Sequence, residues 1–408
     1  MADTTSSIPT KNSPLEGCQM KSDGVDYLPS DWVETTLGEV VETVIDNRGK
    51  NPSYYTEKGI PVIDNVLIKE NRRIDLKEAR RFIDDNLYNN FIRKHGESSD
   101  VIITLVGNGY GNIALFPNEK SVIIQNTVGL RVNKKSDNLF LYYLLKKDKK
   151  KILDLNIGAA QPSVKVGDLL NIKFLLPPLP EQKAIASILS AFDDKIELLR
   201  EQNKTLEEMG QTIFKEWFGK YGVDDELPEG WKVGKLGEEL VIKQGKYLEA
   251  ENLSEAPTEE KKYPIYGGSG IRGYIEDFMY EKPMVFLTCR GNGCGLIQFS
   301  KEQSSITNSC MAFENIDSPL SSEFIYFLSK KIDFESVTSG SAQPQITVTN
   351  LYNLEIIIPD QETLKQFDEE IKPIFIKIRD NSEQIQSLAR SRNELLPKLM
   401  SGAVRVEF

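Results

Sequence analysis

Histidine and cysteine are scarce. The 408 residues contain one His, His95, and four Cys. A single imidazole leaves little room for histidine-based acid–base or nucleophilic chemistry. So few thiols argue against a disulfide framework and fit a reducing compartment, so a cytoplasmic location is expected. A zinc site would have to draw on Cys289, Cys294, Cys310 and the distant His95, which matches no zinc-ligand spacing, and no metal site is expected. There is no run of about 18 apolar residues, so no membrane span is expected. The N-terminus lacks the charged-then-apolar pattern of a signal peptide. Residues 1–27 instead read as a flexible tail, rich in Ser, Thr, Asn and Pro.

Enzyme signatures are missing too. Gly49-Lys50, Gly219-Lys220, Gly234-Lys235 and Gly245-Lys246 all lack the neighbours of a phosphate-binding loop. Asn51-Pro52-Ser53-Tyr54 has one proline fewer than the N-P-P-Y tetrapeptide of amino-methyltransferases, and it reads as a turn. No residue is assigned a catalytic role.

Positive charge is in short supply overall, with 50 basic against 61 acidic side chains and a net charge of −11. The deficit is uneven. Residues 31–180 hold 22 basic and 19 acidic groups, whereas residues 225–360 hold 12 and 21. An acidic total argues against non-specific coating of nucleic acid, and it leaves room for a local basic face in the first segment.

What the sequence does contain is a duplication. Leu28-Pro29-Ser30-Asp31-Trp32 recurs as Leu227-Pro228-Glu229-Gly230-Trp231, and Leu37-Gly38-Glu39 as Leu236-Gly237-Glu238. Gly107-Asn108-Gly109-Tyr110-Gly111 recurs as Gly291-Asn292-Gly293-Cys294-Gly295, Gln125-Asn126-Thr127 as Thr307-Asn308-Ser309, and Gly158-Ala159-Ala160-Gln161-Pro162 as Gly340-Ser341-Ala342-Gln343-Pro344. The offset drifts from 199 to 184 to 182, as expected of two diverged copies of one domain. Residues 101–106 and 284–288 read as strands, residues 139–145 and 323–328 as short helices, and the glycine runs as tight turns between strands. Each copy ends in an apolar strand, 172–176 or 354–358, with prolines behind it. Each copy is a compact α+β domain.

A long helical pattern follows each copy. Ile185, Leu189, Phe192, Ile196, Leu199, Leu206, Ile213 and Trp217 step by four and three. So do Phe367, Ile371, Ile374, Ile378, Ile385, Leu388, Leu395 and Leu399. Asn203, Gly210, Asn381 and Arg392 interrupt the series. A strict 3.5-residue repeat marks a coiled-coil seam, with the polar interruptions fixing register. The two helices of this chain are each other's nearest partners, antiparallel, with a domain at each end. The alternative is that each helix packs only on its own domain. Pro373 should kink the second helix or begin a new segment.

Basic and aromatic residues cluster in both copies. Arg48, Lys50, Arg72, Arg73, Asn108 and Tyr110 in the first, and Tyr266, Ser269, Arg272, Arg290 and Asn292 in the second, are the candidate DNA-binding residues. Arg and Lys neutralise phosphates, and a bidentate Arg reads a guanine edge. The lysine run at 146–151 is a further basic segment, equally readable as a solvated face.

In their order and duplication these motifs resemble the specificity subunit of type I restriction-modification systems. The resemblance covers about residues 25–408. It rests on "LPSDWVETTLGEV" at 28–40, "LPEGWKVGKLGEEL" at 227–240, "AQPSVKVGDLLNIKFLLPPLPEQKAIASILSAFDDKIELL" at 160–199, "YPIYGGSGIRGYI" at 263–275 and "LPKLMSGAVRV" at 396–406. It implies target recognition domains at 28–179 and 222–359, a central helix at 180–221, a distal helix at 360–400 and a C-terminal tail at 401–408. It further implies that each domain reads one half of a split double-stranded DNA site. The helices set the gap and dock two modification (methyltransferase) subunits, with restriction/translocase subunits joining them. This subunit would be non-catalytic and free of cofactor, with S-adenosylmethionine, ATP and Mg in the partners. Two rival readings remain: a methyltransferase acting alone, and a coiled-coil protein-binding adaptor without DNA recognition.

Overall fold

The computed structural model describes residues 18–20, 27–69, 71–107, 109–158, 161–291, 293–315, 318–334, 336–338 and 344–407. Asn108, Asn292 and the 340–343 motif fall outside these residues. So does most of the 1–27 segment, although within it Cys18–Met20 pairs antiparallel with Tyr27–Pro29. The chain divides into two compact units, Met1–Leu198 with Gln384–Phe408, and Leu199–Glu383. The division cuts both long helices, so each unit holds one domain copy and a part of each helix.

In the first unit a four-stranded antiparallel sheet runs in the order Val41–Ile45, Thr127–Val132, Val101–Thr104, Ile113–Leu115. Its inner strand Val101–Thr104 is apolar at nearly every position because both faces are covered. Val101 and Ile103 face a core that includes helix Asn138–Lys147, while Ile102 faces a second core with Ile45, Ile63 and Phe116. Beyond it lies a three-stranded sheet, Phe82–Ile83, Ile60–Ile63 and Val122–Ile123, the last two parallel. The second unit repeats this plan. Its strands run Val241–Gln244, Cys310–Glu314, Val285–Thr288, Ile297–Phe299, beside a sheet of Gly270–Ile275, Tyr263–Gly267 and Ser305–Ile306. Val285 and Leu287 face one core and Phe286 the other. Helix Ser322–Lys331 is capped by the Ser321 hydroxyl, as Asp137 caps its counterpart.

The ladders correct the sequence alignment at one place. Thr127 sits opposite Thr104, and Cys310, not Ser309, sits opposite Thr288. The second copy therefore has one more residue before this strand than the Gln125-Asn126-Thr127 match implies. A one-residue slip would turn every side chain to the wrong face.

In each copy the leading strand pairs with the closing strand, Val33–Thr36 with Lys173–Leu176 and Lys232–Lys235 with Glu355–Ile358. The closing strand then feeds a 40-residue helix, the central helix Leu179–Phe218 or the distal helix Gln361–Met400. Each is about 60 Å long. The distal helix passes through Pro373, so of the two expected outcomes a new segment does not begin there. The proline lacks an N–H to bond the Glu369 carbonyl, and packing supplies what this costs. Ile371 is fully buried and Ile374 nearly so, each such side chain contributing about 1.5–3 kcal/mol.

Within the first unit Asp193 of the central helix meets Arg392 of the distal one. Within the second, Asn381 donates to Asn203 at 2.9 Å and Trp217 to Glu370 at 3.1 Å. Partners descend the distal helix as positions ascend the central one, so the pairing is antiparallel. None of the sixteen seam residues lies exposed. A second stripe packs into the domain cores: Ala186 and Met400 in the first unit, Phe214, Phe218 and Leu364 in the second. Docking on the other helix and docking on a domain are thus not alternatives. The chain is α+β, two pseudo-repeated domains with two long antiparallel helices forming a coiled coil.

The repeated tryptophans fasten the domains to the helix starts. Trp32 donates its indole N–H to Glu181 at 3.0 Å, and Trp231 donates to Asp360 at 3.0 Å. Asp360 also accepts from the backbone N–H of Glu362 and Thr363 and so caps the distal helix. Glu181 is fully buried and is closed off by Arg405, whose Nε donates to it at 2.7 Å while its other nitrogens reach Asp31.

Candidate nucleic-acid interface

In both units the glycine runs lie where strands of the main sheet end. In the first unit Val41–Ile45 runs into Asp46–Lys50, a turn that Gly49 closes at φ +76°. Asn47 is fully buried and anchors the turn. Its Nδ2 donates to the carbonyls of Lys94 (2.8 Å) and Ile123 (3.1 Å), and its Oδ1 accepts from the backbone N–H of Arg93 and Lys94. Arg48 is held half-exposed by Asp46, through Nε at 3.0 Å and Nη2 at 2.8 Å. Lys50 lies over the Phe91 ring at 5.0 Å. Gln125 stands at φ +60°, a conformation L side chains rarely adopt, and donates to Asn51 at 2.8 Å.

The glycine loop joins this edge through Leu105, whose N–H bonds the Asn126 carbonyl. Gly107, Gly109 and Gly111 all take positive φ, near +80°. A Cβ on Gly107 would lie 3.1 Å from Gln161 Nε2 and 3.9 Å from Asn65 Nδ2, so three loops converge. Tyr110 is half-buried, its hydroxyl donating to the carbonyls of Ile152 (2.7 Å) and Leu153 (2.9 Å). Burial raises its pKa, with Asp154 adding to the effect.

The second unit builds the same edge. Val106 bridges Ser163 in the first, and Arg290 bridges Gln345 at the matching place. The loop after Arg290 touches the turn at 267–270: a Cβ on Gly293 would lie 3.2 Å from the Gly268 carbonyl, to which the Thr288 hydroxyl also donates at 3.1 Å. Lys246 bridges Thr307, and Gln244 donates to the Asn308 carbonyl at 2.7 Å. Arg290, Ser269 and Arg272 are exposed on this edge, as is Tyr247 beside it.

Three candidate residues go elsewhere. Arg72 is 8% exposed and its guanidinium is committed to Asp194 of the central helix. Arg73 joins Asp194 at 2.9 Å and Glu197 at 3.3 Å. Both sit at the domain–helix junction, where the Arg72 carbonyl accepts from the Leu115 backbone N–H at 2.9 Å. Tyr266 is 7% exposed, packed on Phe286, its hydroxyl accepting from the Lys301 backbone N–H at 3.1 Å. Much of the lysine run is neutralised locally: Lys147 and Lys151 pair with Asp148, and Lys150 with Asp154. His95 stacks on Tyr88 at 4.2 Å. Sequence reading passed over Asn47 and Gln125. The repeated Gln125-Asn126-Thr127 motif was the only signal for the second, and a buried asparagine has none.

The described residues contain no group of three or more His, Cys, Asp or Glu able to hold a metal ion, and no helix long and apolar enough to cross a membrane. The edge offers guanidinium, amide and hydroxyl groups on glycine turns, the chemistry of hydrogen bonding.

Comparison with known proteins agrees with the duplication. The family model described as "Type I restriction modification DNA specificity domain" matches twice, at residues 29–208 and 228–388. The MjaIX type I restriction enzyme specificity subunit of Methanocaldococcus jannaschii is 30% identical over 302 residues, 66% of this chain and 69% of that one. The MjaVIII specificity subunit of the same organism is 24% identical over 421 residues, covering 93% and 94%. Among solved structures, a type I restriction-modification S subunit from M. genitalium shares the fold, with a TM-score of 0.57 at 19% identity over 94% of this chain and 98% of that one. The chain belongs to the family of type I restriction-modification specificity subunits.

Proposed function

We propose that this chain is the DNA-reading, non-catalytic subunit of its complex, each domain reading one half of a split duplex site. The helix pair holds the gap between the halves and docks two modification subunits, which carry the methyl-transfer chemistry and its cofactors, and restriction/translocase subunits join the assembly. The observation that carries this reading is the duplicated glycine-loop edge, which in both units bears partly or fully exposed side chains of the kinds that pair with base edges and phosphates. Arg48, Lys50 and Tyr110 on one edge, and Ser269, Arg272 and Arg290 on the other, are the proposed contacts. Arg72 and Tyr266 are assigned to packing, and the exposed Arg73 to ion pairing with the central helix. The −9 balance of residues 225–360 means that partner subunits supply part of the phosphate neutralisation for the second half.

The test is selection from a pool of random-sequence duplexes by the full chain assembled with its modification subunits. A split motif is expected. An Arg290→Ala chain should lose discrimination at one half only. Equal loss at both halves, or none, contradicts the placement, and no enrichment of any motif favours the protein-binding adaptor.

A further inference from the structure

The two copies dock on the helices at equivalent places, and one matched triplet of residues differs in chemistry between them. In the first unit Tyr143, on helix Asn138–Lys147, is 2% exposed and donates its hydroxyl to Asp193 of the central helix at 2.6 Å. Asp193 is itself paired with Arg392 of the distal helix. Its side chain is 11% exposed and that of Arg392 29%, so the three groups form a partly buried ion-paired triad. Burial and the Asp193 carboxylate hold the Tyr143 phenol far above its usual pKa.

The matching steps of the second unit are Phe327 on helix Ser322–Lys331, Phe375 on the distal helix and Gly210 on the central helix. These three also converge. The Phe327 and Phe375 rings lie 5.6 Å apart, and a Cβ on Gly210 would fall 2.4 Å from the Phe327 ring. At this step one copy joins domain to helices with a directional polar triad and the other with aromatic rings laid on a bare helix backbone. The second copy's polar tie lies beside it, where the Tyr326 hydroxyl donates to Glu207 of the central helix at 2.5 Å and Lys330 pairs with the same carboxylate without reaching the distal helix. Ring packing tolerates small slides, whereas a carboxylate shared between a phenol and a guanidinium fixes position and angle together.

We propose that Tyr143, Asp193 and Arg392 are positioning residues that fix how the first domain sits on the helix pair, and through it the gap tolerated between half-sites. The proposal rests on the split-site reading above. Arg392 is therefore more than a polar interruption of the seam: it completes the carboxylate that holds the domain.

The experiment uses the full chain with its modification subunits, and as probe the duplex enriched from the random pool, remade with the gap lengthened and shortened one base pair at a time. Wild type should prefer one gap. Arg392→Met keeps the stem and removes the charge. It should lose the gap preference, its affinity for neighbouring gaps approaching that for the best one, with discrimination within each half-site unchanged. Arg392→Lys should retain the preference. Asp193→Asn, which keeps shape and an acceptor for Tyr143, should behave as Arg392→Met and serves if that variant does not fold. A merely structural role lowers affinity at every gap by one factor. That outcome, or an unchanged gap profile in the folded variants, overturns the proposal. A wild-type chain that enriches no split motif overturns the underlying reading instead, and is seen before any variant is made.

Discussion

Replacing Arg405 by Ala strands a charge. Glu181 is fully buried, and its carboxylate keeps only the Trp32 indole N–H once the guanidinium is gone. Removing one partner of a fully buried ion pair costs about 3–5 kcal/mol, and Arg405 is 40% exposed, so the loss falls to about 2 kcal/mol. For a unit of about 150–250 residues this lowers Tm by about 4–8 °C. Thermal unfolding measures the shift, and hydrogen exchange should localise it to the first unit. Adding Glu181→Gln should recover part of the loss, because an amide costs less to bury half-paired than a carboxylate. Asp31 extends the test to acid. Its hydrogen bonds from Arg405 hold its pKa below the ordinary carboxylate range. Its contribution is therefore complete above the unfolded value, about pH 4, and disappears as pH falls through the lower folded value. The gap in Tm between wild type and variant should narrow in that window. A shift under about 1 °C, or a double variant less stable than the single, would refute the reasoning.

Other perturbations have equally definite outcomes. Asn47→Ala removes four hydrogen bonds at a buried turn and should cost about 2–4 kcal/mol in urea unfolding, with loss of recognition at one half-site. Gly210→Ala should destabilise by about 1–3 kcal/mol despite a gain of about 1 kcal/mol in helix propensity, because the new Cβ meets the Phe327 ring; thermal unfolding reads the sign. Replacing Asn203 and Asn381 together by Leu should raise Tm, because the buried Asn381 Oδ1 has no hydrogen-bond partner among the described residues. A Tm lowered by that pair would show that the amide bridge is net stabilising.

The duplication was legible because glycines that must take positive φ, and tryptophans that fasten each domain to a helix, cannot drift freely in sequence. The seam was legible because its period differs from that of a helix lying on a core. The second apolar stripe was not: Phe214, Phe218 and Leu364 pack on domains whose place on the helix no local pattern encodes. For the same reason the ion pair of Arg72 with Asp194, 122 residues away, was not legible. Whether Pro373 ends a segment or is carried through was not legible, because local propensity says stop where packing says continue. The one-residue slip before Cys310 was hidden because Asn308-Ser309 matches Asn126-Thr127 in residue type, although the ladder sets Cys310 level with Thr127.

The most direct test is the methylated motif in DNA from cells carrying this chain with its modification subunits, read by single-molecule sequencing. Two short specific halves separated by a fixed non-specific gap are expected, with only one half altered when Arg290 is replaced. A contiguous motif, or a split motif whose two halves change together, would contradict the assignment of one half to each domain.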